Sequence, residues 1–313
     1  MITSEHATAS PYVTMFENQM RHYFGQDVVA VNSGTSALFL TLKQCWQYEK
    51  VVLPVLTFIA TVNAVSWVEQ FEFWDVDIET WCINPDYTNY YNDCIVLPVD
   101  LYGVISEVNW PNYWVIKDCC ESFGIVQSES DFYCYSFNGN KILTTGAGGL
   151  VVGENLDRIK ILANVGRNKK GEFVEAGFNM RMAGINAKLG LQEFEHLGKR
   201  LTWQKRVNEI YRNGLPFKFQ EAGPDGSTWW YTACLLPNEI DVVQMVNILN
   251  SLNIDYGIKP ARRIFRPLNQ EVPYKDGKHY PNAELIYNRG ICLPQPKNEK
   301  DLMKVCLRIK RSL

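Results

Sequence analysis

The sequence predicts an α/β fold with a mainly parallel sheet, followed by a smaller α+β lobe. Three observations carry this. First, seven short apolar runs punctuate the first half: DVVAV ending at Val31, KVVLPV at Val55, FEFWDV at Val76, CIVLPV at Val99, YWVIKD at Asp118, FYCYSF at Phe137 and GGLVV at Val152. They are continuous and rich in Val and Ile rather than alternating, as strands buried on both faces are. Second, helix-like segments lie between several of them. Ser36 to Trp46 carries apolar residues at 37, 38, 40, 42, 45 and 46, and Ala60 to Val68 is patterned similarly. Strands alternating with helices argue for βαβ units. Third, the pattern changes later. A helical stretch from about Ala187 to Tyr211 is followed by the turn-rich EAGPDGS at 221–227, a strand (WWYTACLL) and a helix (IDVVQMVNILNSLN). Two lobes are expected, 1–205 and 206–313.

The composition excludes several classes of function. Of 313 residues, 46% are hydrophobic and 21% charged, ordinary for a globular chain with a large core. A net charge of −3 gives no electrostatic reason to expect a nucleic-acid partner. No apolar run approaches the roughly 20 residues of a membrane helix. MITSEHATASPY lacks the basic start and apolar stretch of a signal peptide, so a cytoplasmic location is expected. The nine cysteines are irregularly spaced and several sit inside apolar runs, which suits reduced, buried thiols. The four histidines (His6, His22, His196, His279) show no ligand-like spacing, and no metal site is expected.

Three segments could carry chemistry. Asn32-Ser33-Gly34-Thr35-Ser36-Ala37 follows a strand and opens a helix, where free N–H groups and hydroxyls converge on an anion; Ser and Thr are also favoured there simply as helix caps. Asp118 ends a strand at the crevice where α/β proteins bind ligands, or caps the next turn. Lys141 lies five residues beyond strand-ending Ser136, before glycines 146, 148 and 149 that permit close backbone approach; a loop lysine can equally be a solvated charge. Together, and in this order, they supply what pyridoxal phosphate (PLP) needs: a phosphate cup, a carboxylate for the pyridine nitrogen and a lysine to form the imine.

The order and context resemble the DegT/DnrJ/EryC1/StrS family of PLP-dependent nucleotide-sugar aminotransferases, from about Phe16 to the C-terminus. VNSGTSAL is similar to the family's phosphate-binding segment, and LPVLTFIATVNAV (53–65) to its P-x-x-T-F-x-A-T-x-N-A run. LPVDLYG (97–103) resembles P-V-H-L-Y-G, with Asp100 in place of His; DCCESFG (118–124) resembles D-A-A-x-A-x-G. SFNGNKILTTGAGG (136–149) resembles S-F-x-x-x-K-x-x-x-x-G-E-G-G, and EAGFNMRMAGINAKLG (175–190) resembles E-x-G-x-N-x-R-x-x-x-x-x-A-x-x-G.

The resemblance implies a type I aminotransferase fold with a seven-stranded sheet, and it implies residue roles. Lys141 falls on the lysine that holds PLP as a Schiff base and carries the proton as general base and then acid. Asp118 falls on the acid that keeps the pyridine nitrogen protonated. Glu121 takes the place of a Gln or His that faces the phenolic oxygen. Phe58 falls on the ring-stacking aromatic. Gly34, Thr35, Ser36 and Ser136 fall on the phosphate cup, and Asn179 on an asparagine that reaches the neighbouring subunit's phosphate. A homodimer with shared sites follows, with glutamate as donor and a nucleotide-linked keto-sugar as acceptor. Arg181 matches a motif arginine with no assigned role. Asn140-Lys141 followed by Thr144-Thr145-Gly146 resembles members that aminate C4 of the sugar rather than C3.

The chain also departs from the pattern. Ala147 replaces the Glu of G-E-G-G, Lys117 replaces a common Glu, Glu121 places a negative charge near the phenolate, and 124–136 lacks the usual Gly- and Lys-rich hairpin. Three other readings compete. PLP-dependent sugar dehydratases of this fold commonly carry His where Lys141 stands. A non-catalytic sugar-binding relative would suit a short chain. A plain nucleotide-binding α/β domain lacks its G-x-G-x-x-G here and leaves Lys141 unexplained.

Overall fold

The computed structural model describes residues 10–45, 50–68, 70–85, 94–107, 113–223, 225–257 and 259–313. His6, Trp46 at the end of the second expected helix, and Pro224 in the turn-rich segment lie outside the described residues.

All seven apolar runs form strands of one sheet: β1 Asp27–Val31, β2 Lys50–Pro54, β3 Gln70–Trp74, β4 Ile95–Val96, β5 Trp114–Asp118, β6 Phe132–Ser136 and β7 Gly149–Gly153. Their order is β1-β7-β6-β5-β4-β2-β3. From β6 to β3 every neighbour is parallel. β7 runs antiparallel between β1 and β6. β6 and β7 are buried at every residue, which is why these runs show no period of two.

Helices flank the sheet. α1 (Pro11–Phe24) was not expected from the sequence. Ser10 accepts from the Tyr12 N–H at its start, proline occupies its first turn, and Gly25 ends it at φ 69°. Its buried residues, Phe16, Met20 and Phe24, recur every fourth position. α2 (Gly34–Gln44) and α3 (Ile59–Ser66) follow β1 and β2, and α4 (Asp157–Ala163) follows β7. The stretch read as one helix is two, α5 (Gly184–Phe194) and α6 (Leu197–Gly214). The chain turns between them because the His196 N–H bonds to the Glu193 carbonyl, three residues back, and leaves the α-helical ladder.

The C-terminal region adds an antiparallel sheet of order β10-β11-β9-β8, with β8 Lys218–Phe219, β9 Ala233–Leu235, β10 Arg262–Arg263 and β11 Gly290–Cys292. Helices α7 (Val242–Asn250), α8 (Pro281–Arg289) and α9 (Glu299–Lys310) accompany it. A second apolar core begins at Val207 on α6 and continues through Phe219, Met245, Leu249, Leu302 and Ile309. Position 205/206 lies within α6. Among the described residues no helix is long and apolar enough to cross a membrane.

Candidate active site

The C-terminal ends of β1, β2, β5 and β6 open on one side of the sheet, where parallel α/β folds place ligands. There, the start of α2, the first turn of α3 and the 136–148 loop meet Trp230, Arg262 and Phe265 from the C-terminal lobe. They enclose a cavity of about 230 Å³. Gly34, Thr35, Phe58, Asp118, Glu121, Ser136 and Lys141 all line it. Ser36 and Asn179 do not.

The α2 terminus explains the division between Thr35 and Ser36. Ser33 Oγ accepts from the Ser36 N–H at 3.0 Å, a cap contributing about 1 kcal/mol. The Ser36 hydroxyl turns inward, donating to Asn32 Oδ1 at 2.6 Å. It therefore braces the turn, while Thr35 faces the cavity. Gly34 is required by close approach: a Cβ there would lie 2.7 Å from both Cys120 Sγ and Ser136 Cβ. Gly149 is required likewise, since a Cβ would come within 2.3 Å of the Ser33 carbonyl oxygen.

Opposite the cup, Asp118 ends β5 and is buried. It accepts from Thr61 Oγ1 at 2.8 Å and from the Cys120 N–H at 3.1 Å. Burial pushes its carboxyl above the ordinary value; hydrogen bonds from Cys120 and Thr61 and the charge of Lys141 oppose this. Glu121 is buried too. Its Oε2 accepts from the Tyr102 N–H at 2.8 Å, and its Oε1 lies 3.4 Å from Lys141 Nζ. Burial raises its carboxyl as well, against the charges of Lys141 and Arg262. Lys141 Nζ lies 4.0 Å from the centre of the Trp230 ring, and the Trp230 indole N–H donates to the Asn140 carbonyl at 2.8 Å. The lysine is thus held between a carboxylate and an aromatic face, with its ammonium in the cavity.

These residues suit a molecule that is anionic at one end and cationic at the other. The helix start with Gly34 and Thr35 is an anion cradle, packed so closely on Cys120 and Ser136 that no side chain fits at 34. Asp118 is a buried carboxylate facing the cavity, and among the described residues no cation is hydrogen-bonded to it. Asn140 Oδ1, on the cavity wall, is buried and has no hydrogen-bond partner among the described residues. PLP, with its phosphate, protonatable ring nitrogen and phenolic oxygen, fits this donor set. A family model for the "DegT/DnrJ/EryC1/StrS aminotransferase family" matches residues 1–309. The chain belongs to this family. It is an aminotransferase that depends on pyridoxal phosphate.

GDP-perosamine synthase of Escherichia coli O157:H7 is 29% identical to this family member, over 90% of this chain and 84% of that protein. The 3-oxo-glucose-6-phosphate:glutamate aminotransferase of Bacillus subtilis (strain 168) is 28% identical, over 90% of this chain and 69% of its own. The crystal structure of NtdA from Bacillus subtilis, with the cofactor PMP bound, superposes with a TM-score of 0.84 at 21% identity, over 97% of this chain and 78% of that one. This likeness shows the shared fold, the type I aminotransferase fold expected from the sequence.

Two departures from the family pattern explain each other. Asp100, in place of His, and Lys117, in place of Glu, form a buried ion pair at 3.4 Å. Lys117 Nζ also donates to the Ser106 carbonyl at 2.6 Å. Asp100 accepts from Ser122 Oγ at 2.5 Å, the Ser106 N–H at 2.8 Å and Gln127 Nε2 at 2.9 Å. The pair ties the segment before the Tyr102 turn to the strand that carries Asp118. Lys117→Met should destabilise the protein by about 3–5 kcal/mol, because Asp100 is left buried without a counter-charge. Lys117→Met with Asp100→Leu should recover much of the loss. Urea unfolding checks this, and an unchanged midpoint in the single variant would overturn the pairing's importance.

Asn179 is exposed and outside its own chain's cavity. Its backbone bridges Asn164, whose Oδ1 accepts from Arg181 Nη1 at 2.5 Å. Arg181 therefore pins the Asn179 segment to the loop after α4. The sequence does not single out Thr61, Trp230, Arg262 and Phe265, and it singles out Asn140 only as the neighbour of Lys141. Arg262 stacks on Phe265 at 4.3 Å and has no acidic partner in an ion pair among the described residues. Thr61 and Asn140 sat inside quoted motifs. The other three carried no local signal, being brought in by the packing of one lobe on the other.

Proposed function

We propose that this aminotransferase moves an amino group from glutamate to C4 of a nucleotide-linked keto-sugar. The observation that carries the reading is the convergence of Lys141, Asp118, Glu121 and the Gly34–Thr35 cup on one cavity. PLP supplies an electron-accepting ring and a carbon that takes up and releases the amino group. Lys141 would hold it covalently, Asp118 would pair with its ring nitrogen, Thr35 and Ser136 would meet its phosphate, and Phe58 would cover its face. Lys141 Nζ then moves the proton at the substrate carbon, as base and afterwards as acid. Glu121 Oε1, 3.4 Å away, orients that ammonium. Arg262 is the guanidinium placed to meet a donor carboxylate. Trp230 and Phe265 wall the cavity against water.

Glutamate as donor and a nucleotide on the sugar are supported by the relatives' names, one a glutamate aminotransferase and one a GDP-sugar synthase. The C4 position rests on Asn140-Lys141 and the Thr144-Thr145-Gly146 run, since the loop after Lys141 helps set which ketone carbon reaches near-attack distance. The test starts with the PLP-loaded protein, whose visible absorption glutamate should bleach. Matched nucleotide-linked 4-keto- and 3-keto-6-deoxy sugars are then compared by kcat/KM. A visible band unmoved by glutamate would remove the donor; a preference for the 3-keto sugar would overturn C4 alone.

The active form is a homodimer. Its support is the segment around Asn179, where Phe173, Val174, Phe178 and Ile185 are exposed. Val165 beside it sits at φ 55°, a strained value for a β-branched residue. If Asn179 serves the partner's phosphate, mixing Lys141→Ala with Asn179→Ala subunits leaves one intact site in each heterodimer. Activity should then reappear on mixing, while each variant alone stays weak. A fully active monomer at assay concentration rules this out. The lobes divide near 205/206, a reading supported by the second core that begins at Val207. A cytoplasmic location is supported by nine free thiols.

A further inference from the structure

A second cavity, of about 440 Å³, shares Lys141 with the first. It lies where the loop after Lys141 meets the first turns of α6 and the C-terminal segments around 256–259 and 295–297. Its wall is basic: Lys141, His196, Lys199, Arg200, Lys259 and Lys297 line it, and among the described residues no Asp or Glu does. Three of these cations are already matched, Lys141 by Glu121, Arg200 by Glu193 and Lys297 by Asp255. Lys199 and Lys259 have no acidic partner in an ion pair among the described residues.

Lys259 is the decisive group. It is 7% exposed. Its ammonium donates to the Trp230 carbonyl at 2.8 Å, and the Gln204 amide oxygen, turned toward it, accepts at 2.7 Å. Both acceptors are neutral. A buried lysine without a counter-ion is costly unless a ligand brings the charge. Lys199, exposed at the mouth, adds a second cation on the same wall. Trp203, Tyr256 and Ile142 provide apolar surface beside them.

We propose that this second cavity binds a phosphate-type oxyanion, with Lys259 and Lys199 as its charge partners. The oxyanion is either the diphosphate of the acceptor substrate or free phosphate, and only the first source rests on the function proposed above. A diphosphate held here would place the attached sugar at Lys141, the residue common to both cavities.

The test is titration calorimetry on the PLP-loaded protein, in phosphate-free buffers, with GDP and inorganic phosphate as separate probes. Saturable binding that weakens with salt is expected for at least one of them. Lys259→Met should weaken it about tenfold or more and Lys199→Ala severalfold, as loss of charge-assisted hydrogen bonds predicts. Lys259→Arg, which keeps the charge, should restore most of the affinity and shows that loss in Lys259→Met is not misfolding. A second readout is protonation. Burial, with Lys141 and Arg200 nearby and against Glu121, holds the Lys259 ammonium well below its usual range. An anion favours the charged form, so Lys259 adds proton uptake to binding as pH rises through its titration, seen as a heat that differs between buffers of different ionisation enthalpy. That contribution is absent in Lys259→Arg, where the guanidinium is always charged, leaving only the phosphate's own ionisation. Tighter binding of GDP marks the substrate as the source; phosphate binding at least as tightly marks a free anion. No saturable binding of either probe, or affinities unmoved in Lys259→Met and Lys199→Ala, overturns the proposal. Bleaching by glutamate, measured without phosphate, reports on the functional reading separately.

Discussion

Lys141→Ala should reduce amino transfer by about 10⁴-fold or more, the upper range for losing a positioned proton carrier, since the covalent anchor goes with it. Borohydride treatment of the PLP-loaded wild type should fix the cofactor on the peptide that contains Lys141, and fix none on the variant. The structure makes this test sharp because a second lysine, buried, lies nearby. Lys141 and Lys259 both approach the Trp230 ring, at 4.0 and 5.7 Å from its centre. Only Lys141 shares a cavity with Asp118 and the Gly34–Thr35 cup. The Lys141→Ala protein should still fold, because Glu121 keeps its bond from the Tyr102 N–H and the charge of Arg262 nearby. Adduct formation on Lys259 in the wild type would reassign the anchor.

What could be seen in the sequence was what is decided locally. The seven strands showed because a strand buried on both faces must be apolar throughout, and β6 and β7 are. Strand direction did not show: nothing in GGLVV distinguishes the antiparallel β7 from its parallel neighbours. α1 was missed because exposed Met15 and half-buried Val13 and Tyr23 blur the stripe of Phe16, Met20 and Phe24. Lys141, Asp118 and Gly34 were visible because each lies at or just beyond a strand end, where the chain enters a loop, a turn or a helix start. Ser36 was ambiguous for a chemical reason, since a hydroxyl at a helix start can serve a ligand or the turn, and here it serves the turn. Asp100 and Lys117 looked like two unrelated departures. Only in space are they one ion pair. Trp230, Arg262 and Phe265 come from the other lobe, far along the chain from the loop that carries Lys141, and no local pattern announces a contact of that kind.

Asp118→Asn should separate catalysis from folding. In the cofactor-free protein, burial raises the Asp118 carboxyl above its value in an unfolded chain. The sign of its contribution follows. A raised folded pKa means the native state holds the proton longer, so stability from this group is present below the unfolded value. It is lost as pH rises through the folded value. Above the unfolded value the Asp118 carboxyl is therefore a burden on the fold. Asparagine removes that burden, while turning an amide N–H toward Thr61 or the Cys120 N–H costs about 1 kcal/mol. The two effects oppose, so the cofactor-free melting temperature should move by no more than about 4 °C. Turnover has no such compensation. Breaking a carboxylate–cation pair held away from water costs about 3 kcal/mol, or about 100-fold in rate. The loaded variant should therefore lose about 100-fold or more in kcat, with its glutamate KM changed far less. Thermal unfolding of the apo protein and steady-state kinetics of the loaded one measure the two halves independently. Near-normal kcat with an unchanged melting temperature would show that Asp118 is a turn-capping residue that happens to face the cavity.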